Sequence, residues 1–103
     1  PLWLAPEQAR VLSVSQDQHA YAEKVAKEMR AKGLRVSADV REEKIGYKIR
    51  EAETQKVPFM LVVGGKEQES GTVAVRARHR DDPGVTAPED LARMMLDEIA
   101  RKV

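Results

Sequence analysis

The nine residues VPFMLVVGG, 57–65, leave few folds open to this chain. Phe59 to Val63 is apolar at every position, too short for a typical helix, and bounded by Pro58 on one side and Gly64 and Gly65 on the other. A strand reads this way when both of its faces are covered, as in a parallel sheet with helices on each side. Pro58 is tolerated at the first position of such a strand, and the glycines end it. The rest of the chain must then supply helices for two faces.

The flanking segments do so. RVLSV, Arg10 to Val14, has the branched apolar residues of a short buried strand, and Ser15 with Gln18 forms a capping box that predicts a helix start behind it. In HAYAEKVAKEMRAKG the residues Tyr21, Ala22, Val25, Ala26 and Met29 recur at three and four spacing, and Gly33 supplies a left-handed cap. LRVSADV, Leu34 to Val40, alternates as a half-buried strand with Leu34, Val36, Ala38 and Val40 inward. From Lys44 to Lys56 the apolar residues Ile45, Ile49 and Ala52 form the buried stripe of a second helix, with Lys44, Lys48, Glu51 and Gln55 on an adjacent stripe. KEQESG reads as a polar turn or short helix. TVAVRARHR, Thr72 to Arg80, alternates again: Val73, Val75 and Ala77 take one face, and Arg76, Arg78 and Arg80 share the other if the strand persists. DDPGV breaks the chain. Thr86 with Glu89 then reads as a second capping box, heading a helix with Leu91, Met94, Met95 and Ile99 inward. The order strand, helix, strand, helix, strand, strand, helix predicts a three-layer α/β domain with a mainly parallel sheet and an antiparallel strand near one edge. At 103 residues the chain has room for one such domain, residues 1–103.

Composition excludes several kinds of chemistry. With no cysteine there are no disulfides, zinc thiolates or thiol nucleophiles, and His19 and His79 are too far apart in sequence to read as a metal pair, so no metal site is expected. The longest apolar run is far too short to span a bilayer, and the first residues lack the basic and apolar regions of a signal peptide. A cytoplasmic domain without membrane contact is expected. Because the sequence opens at Pro1 instead of methionine, it also reads as a piece of a longer polypeptide. The formal net charge of +1 argues against nonspecific coating of nucleic acid, which needs an excess of Lys and Arg.

Local charge is more informative. EEKIGYKIREA, Glu42 to Ala52, sets Lys44, Lys48 and Arg50 around a glycine and two isoleucines, although helical geometry turns Arg50 well away from Lys48. The arginine face of Thr72 to Arg80 reads either as a nucleic-acid contact or as charge that guards an edge strand against aggregation. Asp39 near a strand end allows a phosphoacceptor or ribose ligand, but the further acidic residues of a receiver site are missing. The spacing around Gly64, Gly65 and Lys66 lacks the phosphate-loop pattern. No serine has a triad context, so catalysis within the chain is not expected.

Taken together, WLAP, GLRVSADVREEKIGYKIREAETQKVPFMLVVGGKE and GTVAVRAR resemble the C-terminal anticodon-binding domain of threonyl-tRNA synthetase, a class II aminoacyl-tRNA synthetase, over nearly the whole chain. Histidyl, prolyl and glycyl enzymes share the fold, but EKIGYKIREA followed by KVPFMLVVGGKE is similar to the threonyl form in particular. The resemblance implies an α/β/α anticodon-binding domain with a mixed, mainly parallel sheet of about five strands, no cofactor of its own, and the anticodon loop of threonine tRNA as partner. It further implies a homodimeric parent enzyme whose catalytic domain uses ATP, Mg and Zn. The anticodon-contacting positions carry over to Lys44, Arg50, Glu67 and Arg76, with Val14 as an apolar contact, Glu42 where the family usually has asparagine, and Lys66 beside the set. A non-synthetase RNA- or protein-binding paralogue of the same fold is the alternative.

Overall fold

A computed structural model describes residues 1–78 and 82–102. After a 3-10 turn at Leu2–Leu4 the elements are β1 (Ala9–Ser13), α1 (His19–Ala31), β2 (Val36–Asp39), α2 (Ile45–Thr54), β3 (Phe59–Val63), α3 (Gly65–Ser70), β4 (Val73–Ala77), β5 (Gly84–Thr86) and α4 (Pro88–Arg101). The sheet order is β2-β1-β3-β4-β5, with β1 parallel to both of its neighbours and β4 and β5 added antiparallel. The fold is therefore the expected three-layer α/β arrangement with a mixed five-stranded sheet, parallel at its centre. β5 falls in the stretch that the residue pattern read only as a chain break, and it makes β4 an interior strand. The pairing with β5 spans Val73 to Val75, and Arg76 lies one residue beyond it.

Strand order dictates where the helices go. The chain crosses from β1 to β2 in one direction and from β2 past β1 to β3 in the other, so right-handed crossovers put α1 and α2 on opposite faces. On the first face Ala22, Val25, Ala26 and Met29 of α1 and Leu91, Ala92 and Met95 of α4 pack with Val11, Phe59, Leu61, Val63, Val73 and Val75. On the second face Ala52, Ile45 and Ile49 of α2 pack with Leu12, Met60 and Val62. α2 is the one helix on that second face among the described residues, and it lies chiefly over β1, with side chains reaching Met60 and Val62 of β3. Among the described residues, no helix covers the β4–β5 side of the second face. Among the described residues no helix is long and apolar enough to cross a membrane.

Several local expectations need correction. The Ser15–Gln18 box forms, with Gln18 Oε1 accepting from Ser15 N at 3.1 Å, but it heads a 3-10 turn, Gln16–Gln18, that leads into α1. The Thr86–Glu89 box does not form: Thr86 ends β5, and α4 starts with Ala87 as N-cap and Pro88, whose missing N–H costs nothing there. Met94 is 49% exposed, and Ala92 takes the inward place assigned to it. Lys48, read as part of a polar stripe, is buried. β4 ends at Ala77, so Arg78 lies past the strand, and His79 and Arg80 lie outside the described residues. Gly33 does end α1 as expected: at φ +95° it lets Leu34 N donate to Met29 O and Gly33 N to Arg30 O.

Candidate functional site

β1 and β3 lie side by side, and the chain leaves them toward opposite edges of the sheet, from β1 to β2 and from β3 to β4. The carboxyl ends of such a pair frame a crevice, which is where open α/β sheets bind ligands. Here those ends are Ser13–Val14 and Val63–Gly64, tied together by Val14 N donating to Val63 O at 3.0 Å. Gly64 is the N-cap of α3, and its N–H donates to Glu67 Oε1 at 2.8 Å. A Cβ built on Gly64 would come within 3.2 Å of Glu67 Oε1 and 3.3 Å of Val14 Cγ2. A carboxylate and an exposed valine therefore flank one bare Cα. Each carboxylate oxygen has two lone pairs, so Glu67 keeps acceptor capacity beyond its bond to Gly64.

Register extends this end into a surface. On the second face Leu12 pairs with Val62, Val62 with Ala74, and Ala74 with Val85, while Met60 pairs with Arg76. Val62 and Ala74 are half-buried and Val85 is 67% exposed, so an apolar row runs from under α2 to the open edge. Arg76 is exposed on the same face, two residues along β4, about 7 Å at the usual rise per residue.

The two flanks of α2 differ. Glu51 and Tyr47 turn toward β2: Glu51 pairs with Arg41, Tyr47 Oη donates to Glu51 Oε2 at 3.1 Å, and the Arg41 guanidinium lies 5.8 Å from the Tyr47 ring centre. At 100° per residue Glu53 falls on the opposite flank, beside the open sheet, and exposed Arg50 lies between the two flanks on the outward side of the helix. Glu53 and Arg76 there line a cavity of about 180 Å³ with Val57, Met60 and Asp82.

The structure thus brings Val14 and Glu67 into one cluster, with Lys66 exposed on the first turn of α3. Lys44 is the exposed N-cap of α2, and Glu42 lies in the preceding loop, exposed and without an ion pair among the described residues. Arg50 and Arg76 stand apart from that cluster, Arg50 exposed on the outward side of α2 and Arg76 on the floor of the open face. Asp39 is not available as a free carboxylate, because Oδ1 accepts from Arg41 Nε at 2.9 Å and Oδ2 from Arg41 Nη2 at 2.7 Å. Those bonds to Arg41 hold its pKa below the ordinary carboxylate value.

The residue that sequence reasoning missed is Lys48. It is 1% exposed, and its Nζ donates to Ser13 O at 2.9 Å, Ser13 Oγ at 3.1 Å and Asp39 O at 3.1 Å. The signal was present in the spacing, since Ile45, Lys48, Ile49 and Ala52 follow the i, i+3, i+4, i+7 pattern of one helix face. Burial pulls its pKa below the ordinary lysine value.

Residues 8–102 match the family model described as anticodon binding domain. The chain is 54% identical over 101 residues to the threonine–tRNA ligase of Alkalilimnicola ehrlichii, covering 98% of this chain and 16% of that protein. It is 49% identical over 102 residues to the threonine–tRNA ligase of Acetivibrio thermocellus, again covering 16% of the relative. The chain spans about one sixth of the length of these curated relatives. Among solved structures, the RNA-binding domain of threonyl-tRNA synthetase from Cryptosporidium parvum superposes with a TM-score of 0.89 at 34% identity, over 94% of this chain and 24% of that one. Histidyl-tRNA synthetase from Nostoc shares the fold, with a TM-score of 0.82 at 20% identity over 92% of this chain and 23% of that one.

Proposed function

The chain belongs to the anticodon-binding domain family, and on that premise we propose that its open sheet face receives the anticodon loop of threonine tRNA. The observation that carries this reading is the meeting of Glu67 and Val14 across Gly64, at the end of a face that also bears Arg76. RNA sequence is read chiefly in loops, where unstacked bases expose their Watson–Crick edges. Threonine anticodons share a middle G and a last U. Glu67 accepts from the N1–H and amino group of that guanine, Val14 packs against a base, and Arg76 donates to carbonyl or ring-nitrogen acceptors. Lys44, Arg50 and Lys66 supply charge toward the phosphates, and Glu42 lies at the rim of the contact.

The chain serves, in this reading, as the recognition part of a threonine–tRNA ligase. The joining of threonine to tRNA with ATP, and the Mg and Zn that accompany it, belong to the catalytic domain of a homodimeric parent, while this chain binds without catalysing.

The test is a titration of the isotopically labelled domain, at low salt, with a threonine anticodon stem-loop and with one whose middle G is replaced. Larger amide shifts with the first loop around Lys44, Arg50, Glu67 and Arg76 are expected. Equal shifts with both would favour an RNA-binding paralogue that no longer reads this base, and no shift with either would remove RNA from the reading. Glu67→Gln is expected to lose affinity for the first loop more than for the second; equal losses would take Glu67 out of the base-reading role.

A further inference from the structure

A lysine sealed under two strand ends needs a reason. Lys48 has three N–H donors and meets three acceptors, Ser13 O, Ser13 Oγ and Asp39 O, so its hydrogen-bonding capacity is saturated in the interior. Ser13 Oγ in turn donates to Asp39 O at 3.3 Å, which closes the link between the last residues of β1 and β2. Asp39's carboxylate does not neutralise this ammonium directly, because both of its oxygens bond Arg41. Burying a charge this way is costly, and an apolar side chain of the same length fills the same space without that cost.

What the ammonium does provide is direction. The residue after Ser13 is Val14, and the loop that follows Asp39 carries Glu42 and Lys44 to the start of α2. One buried cation therefore fixes the points from which both loops leave the sheet. Arg41 braces the second loop from outside, through Asp39 and Glu51.

We propose that Lys48 is a positioning residue for anticodon reading: by tying the carboxyl ends of β1 and β2 together it sets Val14 and the 40–44 loop at the spacing that distinguishes a threonine anticodon from its variants. The inference rests on the proposed function, and it assigns to the helix interior a role in specificity, although Lys48 itself touches no RNA.

The experiment compares Lys48→Met, Lys48→Arg and Met95→Ala with the wild-type domain. Met95 is fully buried on the other face of the sheet and reports what loss of stability alone does. In the free proteins, amide shifts of Val14 and of residues 41–44 should move in both Lys48 variants and stay in place in Met95→Ala. With the two stem-loops, Lys48→Met should bind the threonine loop about tenfold more weakly, with its preference over the altered loop largely lost. Lys48→Arg keeps the charge, but its planar fork cannot reproduce a three-acceptor pocket. It should therefore lose the preference while keeping the overall attraction, and it decides the matter if Lys48→Met does not fold. A Lys48→Arg protein that discriminates as well as wild type, or a Met95→Ala protein that loses discrimination equally, overturns the proposal. If the wild type itself treats the two RNAs alike, anticodon reading fails and this role fails with it, while the free-protein shifts still report whether Lys48 orders the loops.

Discussion

Gly64 is a glycine for reasons of space. Its φ of −113° suits any residue, but a methyl group there would press on Glu67 Oε1 and Val14 Cγ2 at once. Gly64→Ala is accordingly expected to push the Glu67 carboxylate and the Val14 side chain apart by a few tenths of an ångström and to weaken binding of the threonine stem-loop, read by titration. Asp39 gives a residue-scale pH dependence. Arg41's hydrogen bonds lower its native pKa, so the unfolded chain binds the proton first as pH falls. This contribution to stability is complete above the ordinary carboxylate value and is lost on acidification through the lowered one. The melting temperature of the wild type should fall more steeply between about pH 5 and pH 2 than that of Asp39→Asn; parallel curves would show that Asp39 contributes nothing. Sequence legibility was uneven at this scale. The apolar faces of α1 and β4 could be read from spacing, whereas at Lys48 spacing and charge disagree: the spacing places it on the buried face, its charge argues for the surface, and the acceptors that decide between them, on Ser13 and Asp39, come from other elements.

Helix ends show which local signals suffice. Gly33 could be read as a cap because glycine is the residue suited to φ +95°. α2 ends in the same motif, with Val57 N donating to Ala52 O and Lys56 N to Glu53 O, both at 3.0 Å, but a lysine holds the left-handed position at φ +60°. Lys56→Gly should relieve that strain and, after the entropy that glycine adds to the unfolded chain, stabilise the domain by up to about 1 kcal/mol; a drop in thermal melting temperature would refute this. α3 and β5 were the elements least legible in advance. α3 has no buried residue, and β5 is three residues long with Gly84 at φ +76°, so neither carries the periodicity by which elements are recognised. β5 exists because β4 offers it an edge, with Val73 opposite Thr86.

For the molecule as a whole, the layered fold followed from one doubly covered strand and the crossovers around it, but the open half of the second face did not. It depends on α2 lying over β1, which no single stretch of sequence specifies. That half-covered sheet, in a chain of net charge +1, sets the style of RNA binding. With Lys44, Arg50 and Lys66 as phosphate partners, the logarithm of affinity should fall with the logarithm of salt at a slope of about −2 to −3, measurable by anisotropy with the threonine stem-loop. A much steeper slope would mean that the face acts as a general polyanion trap. Leu2 anchors the other end of the molecule, fully buried in the cluster that includes α4. Leu2→Ala should cost about 2–5 kcal/mol in denaturant unfolding while leaving RNA preference unchanged.

The strand order also implies a folding schedule. Ala9 must find Phe59 across two intervening helices, whereas Val62 meets Ala74 across one short turn of helix. Closing the shorter loop costs less chain entropy, so the β3–β4 ribbon should nucleate and β1 should dock later, bringing β2 with it. Pulse-labelled exchange during refolding would then find the β3–β4 amides protected ahead of those joining β1 to β2. The crevice at the ends of β1 and β3 would be among the last features of the molecule to exist.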